Sequence, residues 1–120
     1  MLGDVETAAP TILVADDNDD LRCVLAETLR DHGYRVLEAA SGDEAVALAG
    51  EPIALVVADI VMPPEGGVAL VEDLKSCVAG LKALYISGYG ALPFGGGVDP
   101  VLGKPFSADE LLARVEELVA

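Results

Sequence analysis

Ile53-Ala54-Leu55-Val56-Val57-Ala58, closed by Asp59, is the stretch that decides how this chain folds. The run has the length of a strand and is rich in β-branched residues, and no polar residue alternates within it. Both of its faces must therefore be covered, which is the condition of a central strand in a parallel sheet with helices on either side. The abrupt change from Ala58 to Asp59 puts a carboxylate where that strand leaves the core.

The same grammar repeats outward in both directions. Towards the N-terminus, Thr11 to Ala15 is a first strand apolar throughout. Asp19 to His32 carries Leu21, Val24, Leu25, Thr28 and Leu29 at helical spacing, with Gly33 as a left-handed stop. Tyr34 to Ala39 reads as a second strand, and Ser41 with Glu44 forms a capping box that opens a second helix through Ala49. Towards the C-terminus, the breakers from Met62 to Gly67 precede a helix ending near Cys77, and Lys82 to Ser87 is a fourth strand. Val101 to Gly103 is a short fifth strand, and a second capping box, Ser107 with Glu110, opens a last helix carrying Leu111, Leu112, Val115, Leu118 and Val119. Between the fourth and fifth strands lie Gly88, Gly90, Gly95, Gly96 and Gly97 with Pro93 and Pro100. Interior glycine costs about 1 kcal/mol and proline about 3 in a helix, so a helix here is short or missing. The order predicts an α/β fold with one doubly wound parallel sheet.

The chain's 120 residues make one domain with a core of its own. Lys and Arg number 7 against 21 Asp and Glu, and the net charge of −14 argues against nucleic acid and anionic membranes as partners. Cys23 and Cys77 lack a Cys-x-x-Cys spacing and are expected to be buried, reduced thiols. The opening residues lack a basic and apolar leader, and no apolar run reaches the roughly 20 residues of a membrane span, so the expected location is the cytoplasm.

Ligands of an open parallel sheet bind beyond the carboxyl ends of its strands. At those ends stand Asp16 and Asp17, Asp59, Ser87 and Lys104. Three clustered carboxylates need a cation or a proton, and an all-oxygen site suits Mg²⁺ or Mn²⁺. One carboxylate could then attack phosphorus, with the Lys104 ammonium and the Ser87 hydroxyl meeting the phosphoryl oxygens. His32, the only histidine, reads as structural at a helix end.

These residues resemble the receiver domain of two-component response regulators, whose minimal example is the chemotaxis regulator. The resemblance covers about residues 10 to 120, leaving 1–9 as an N-terminal lead. It rests on Asp16-Asp17 after an apolar strand, Asp59 in Asp-Ile-Val-Met-Pro with Gly67 further on, Ser87-Gly88-Tyr89, and Lys104-Pro105-Phe106. It implies a flavodoxin-like (βα)5 fold with strand order 2-1-3-4-5. It also implies Asp59 as phosphoryl acceptor, Asp17, Asp59 and the Val61 carbonyl as direct Mg²⁺ ligands, and Asp16 as a ligand through water. Ser87 becomes the switch hydroxyl and Lys104 the phosphate-contacting lysine, with a cis bond to Pro105. The implied partner is a sensor histidine kinase or histidine phosphotransfer protein. The implied role is a phospho-accepting signalling domain rather than a turnover enzyme, standing alone or within a hybrid kinase.

Three departures bear on mechanism. Most receivers carry an aromatic three residues before the lysine, and Val101 stands there, which counts against an aromatic-rotamer relay. The Gly- and Pro-rich stretch likewise counts against an output face built on a fourth helix. Ser87-Gly88-Tyr89-Gly90 is similar to a receiver subgroup with Thr-Gly-Tyr-Gly after the fourth strand, in which Tyr89 would be the moving aromatic. Val61 would hinder an attacking water, so self-dephosphorylation is expected to be slow; the part played by Glu65 stays open.

Other readings fit less well. A pseudo-receiver that works without phosphorylation would have no need of the complete set Asp16, Asp17, Asp59, Ser87 and Lys104. A haloacid-dehalogenase-type phosphatase wants a second Asp where Val61 sits. Asp16 to Glu27 mimics an EF-hand loop, but Leu21 occupies its glycine position.

Overall fold

The computed structural model describes residues 9–61, 65–88 and 99–120. Its elements alternate along the chain: β1 (Thr11–Ala15), α1 (Asp19–Asp31), β2 (Arg35–Ala39), α2 (Gly42–Ala47), β3 (Leu55–Asp59), α3 (Gly67–Cys77), β4 (Lys82–Ser87), β5 (Val101–Gly103) and α4 (Ala108–Val119). All strand pairs are parallel, in the order β2-β1-β3-β4-β5. This is the predicted doubly wound sheet, with element ends displaced by a few residues. The predicted shortness of a helix between the fourth and fifth strands falls on 89–98, outside the described residues, as does Tyr89.

Side chains alternate across the strands and sort into two cores. Ile12 and Val14 of β1, Leu55 and Val57 of β3, and Leu84 and Ile86 of β4 pack against Leu25, Ala26 and Leu29 of α1 and Leu111 and Val115 of α4. Leu13, Ala15, Val56, Ala58, Ala83 and Tyr85 face the other way, against Ala45 of α2 and Leu70, Val71 and Leu74 of α3. Because β1, β3 and β4 are buried on both faces, they read as unbroken apolar runs.

Both cysteines are exposed, contrary to expectation. The face that α1 buries runs through Leu25, Ala26 and Leu29, and Cys23 points away from it. Val24, expected on the apolar side, is 58% exposed for the same reason. Cys77 ends α3 one position before the buried Val78. The Ser107–Glu110 capping box is complete. At α2 the Glu44 carboxylate reaches one residue further back than predicted and accepts from the Ala40 N–H at 2.7 Å, while Ser41 Oγ accepts from Glu44 N–H at 3.1 Å.

Candidate functional site

The C-terminal ends of β1, β3, β4 and β5 lie on one edge of the sheet, which brings residues far apart in sequence together. Asp16 directly follows β1, and its N–H extends the ladder to the Ala39 carbonyl at 3.1 Å. Its side chain turns inward, leaving the residue 1% exposed. One carboxylate oxygen, Oδ1, accepts from the Asn18 N–H at 2.8 Å. The other, Oδ2, is buried without a hydrogen-bond partner among the described residues. Arg22 fixes this turn by donating from Nη1 to the Asp16 carbonyl at 2.9 Å, while its guanidinium pairs with Asp19 and Glu38.

Asp59 ends β3, and its carboxylate is 13% exposed. Its Oδ1 accepts from the Val61 N–H at 2.9 Å, a side-chain turn that holds the carboxylate in place. Its Oδ2 lies 3.6 Å from Lys104 Nζ. Lys104 follows β5, bonds through its N–H to the Ser87 carbonyl at 2.8 Å, and is joined to Pro105 by a cis peptide, as the resemblance implied. Ser87 is buried at the end of β4, in the row just beyond the Asp59–Ile86 pair.

Carboxylate oxygens of Asp16, Asp17 and Asp59 all lie within 4.8 Å of one another. Burial raises the Asp16 carboxyl above its ordinary value, and the charges of Asp59 and Asp17 push the same way, against the Asn18 N–H and Lys104. A crowded acidic pocket with the Asp16 Oδ2 buried and unpartnered among the described residues and the Lys104 ammonium at its edge fits a hard divalent cation, because oxygen donors neutralised by charge are what such an ion requires. The structure therefore brings together the predicted side chains of Asp16, Asp17, Asp59 and Lys104, and sets the backbone of Ser87 beside Lys104 at the same edge of the sheet. Val61 is 62% exposed beside Asp59. Glu65 is exposed, and the residues before it, 62–64, lie outside the described set.

Two contacts escaped the sequence reading, although Gly67 itself stood in the motif. Gly67 donates its N–H to the Ile60 carbonyl at 2.7 Å, and a Cβ there would collide with the Asp59 carbonyl. Gly66 before it has φ of +100°, a conformation that suits glycine. Only the Gly-Gly pair hinted at this close approach of α3 to the strand end. For Arg22 nothing in the sequence signalled a contact with the Asp16 carbonyl.

Residues 12–116 match the response regulator receiver domain family. The chain belongs to that family. It is thus a receiver domain of two-component signalling, of the class that accepts phosphoryl groups. It is 32% identical to the response regulator receiver protein CpdR of Brucella abortus, over 90% of this chain and 95% of that protein. It is also 32% identical to the sensor kinase CckA of the same organism, over 94% of this chain, but spans only 13% of that kinase. The crystal structure of TrrA from Thermotoga maritima, solved with Mg²⁺–BeF, superposes with a TM-score of 0.79 at 28% identity, over 91% of this chain and 98% of that one. Among the described residues of this receiver, no helix is long and apolar enough to cross a membrane.

Proposed function

We propose that Asp59 of this receiver takes a phosphoryl group from a histidine of a sensor kinase or phosphotransfer protein, in a Mg²⁺-dependent reaction, and that the region from Ser87 to Lys104 responds. The observation that carries this reading is the approach of Lys104 Nζ to within 3.6 Å of Asp59 Oδ2, beside three carboxylates converging within 4.8 Å.

Asp17, Asp59 and the Val61 carbonyl would hold the cation directly, and Asp16 through water. When bound, the cation supplies the positive charge that lets a carboxylate approach an anionic phosphoryl group. The chain's own residues account for the rest. The Val61 N–H on Oδ1 orients the Asp59 carboxylate. An Asp59 oxygen attacks phosphorus, the new P–O bond forms as the P–N bond to the donor imidazole breaks, and the electron pair leaves with the imidazole nitrogen. The Lys104 ammonium and the Ser87 hydroxyl meet the equatorial phosphoryl oxygens, where negative charge gathers in transfer. The domain thereby catalyses its own phosphorylation, and slow hydrolysis of the acyl phosphate restores it.

Incubation with acetyl phosphate and Mg²⁺ should add the mass of one phosphoryl group to the wild type and none to Asp59→Asn. A gain that persists in Asp59→Asn would overturn the assignment.

A further inference from the structure

The site lysine follows a strand of only three residues, Val101–Gly103, at the edge of the sheet. Short edge strands are weakly held, so the placement of Lys104 depends on whatever else fixes β5. The Lys75 ammonium of α3 meets both carboxylate oxygens of Asp99, at 3.0 and 2.8 Å, two residues before β5 begins. The pair is partly shielded, with side chains 36% and 20% exposed. Tyr85 of β4 packs in the core that α3 covers, and its phenol is raised by burial, reinforced by the charges of Asp99 and Glu72. The Tyr85 N–H in turn donates to the Pro100 carbonyl at 3.0 Å, the first rung between β4 and the approach to β5.

The other end of α3 rests on the acceptor. Gly67 lies against the Asp59 carbonyl and bonds to that of Ile60. One helix therefore touches the end of the strand carrying Asp59 and grips the entrance of the strand carrying Lys104.

We propose that the Lys75–Asp99 ion pair is a positioning contact: it clamps β5 to α3 and so fixes the reach of Lys104 towards Asp59. The inference rests on the reading of Asp59 as acceptor. Lys75 and Asp99 touch neither phosphoryl group nor metal; they act through the strand between them and Lys104.

Three variants test it: Lys75→Met, Asp99→Asn, and the exchanged pair Lys75→Asp with Asp99→Lys. Each single variant should slow phosphorylation by acetyl phosphate, by up to about a hundredfold, which a misplacement of about 1 Å can cost. Each should also speed hydrogen exchange at the Lys104 N–H, which bonds to Ser87, while the Leu84 N–H in the centre of β4 stays protected. The exchanged pair should restore both. Wild-type rates in the single variants, faster exchange without slower phosphorylation, or a loss that the exchanged pair leaves unrepaired would each overturn the proposal. An Asp59→Asn control run alongside separates the two claims, because a wild type phosphorylated only through Asp59 sustains the underlying reading whatever the ion pair does. A phosphorylation indifferent to Asp59 would remove that reading and this inference together.

Discussion

Asp59 is held at two points of its own residue, the side chain by the Val61 N–H and the carbonyl by the closeness of Gly67. Gly67→Ala would force a Cβ into that carbonyl, and relieving such an overlap typically costs about 1–3 kcal/mol. We expect a loss of that size in urea denaturation, together with slower phosphorylation; unchanged stability would show that the strand end yields freely. Val61→Asn replaces an exposed apolar side chain beside the acceptor with one able to hold water, and should hasten loss of the phosphoryl group several-fold, followed by mass spectrometry. An unchanged rate would reject Val61 as the barrier. Tyr85, pushed up to about 12 by burial with Asp99 and Glu72 nearby, stays protonated in the fold at pH values where the unfolded chain has already lost its phenolic proton. The folded state then holds more protons, so stability is intact below about pH 10 and falls as pH rises from 10 to 12, by about 1.4 kcal/mol per pH unit at most. Tyr85→Phe should flatten that segment of the stability profile; an equally steep fall in the variant would point to other groups.

Among the elements, the strands were legible because a strand buried on both faces needs an apolar residue at every position, and Leu55 to Ala58 can hardly be anything else. Helix faces were less so. In α1 the candidates Val24 and Leu25 are neighbours, and only the docking of the helix on β1 and β2 selects Leu25 and exposes Val24. Cys23 went with the exposed face for the same reason, and Cys77 by ending α3. The helix starts were legible, since capping is a local affair of a few residues. At α4 the box is reciprocal, Ser107 Oγ accepting from the Glu110 N–H at 3.1 Å and the Glu110 carboxylate from the Ser107 N–H at 2.8 Å. Ser107→Ala should therefore cost about 1 kcal/mol in chemical denaturation. A neutral result would mean that packing of Leu111 and Val115 alone holds the first turn.

For the molecule as a whole, the net charge of −14 makes compactness electrostatically costly. Salt should stabilise it generally as the Debye length shrinks from about 30 Å at 0.01 M to about 8 Å at 0.15 M. Mg²⁺ should do more than that at constant ionic strength, because a ligand bound only by the folded state adds stability by mass action. Thermal unfolding of the wild type should shift upward with Mg²⁺, and the shift should largely vanish in Asp17→Ala. Equal shifts in both would mean that the cation only screens.

The sequence by itself determined the order of strands and helices, the helix starts, and the residue types standing at the strand exits. Each of these depends on neighbours within one element, where period, caps and breakers act. Tertiary structure alone decided that Asp16, Asp17 and Asp59 meet within 4.8 Å, which helix faces are covered, that Gly67 abuts Asp59, and that Lys75 grips Asp99. Those are contacts between elements, and they exist only once the parallel register has set β1, β3, β4 and β5 side by side.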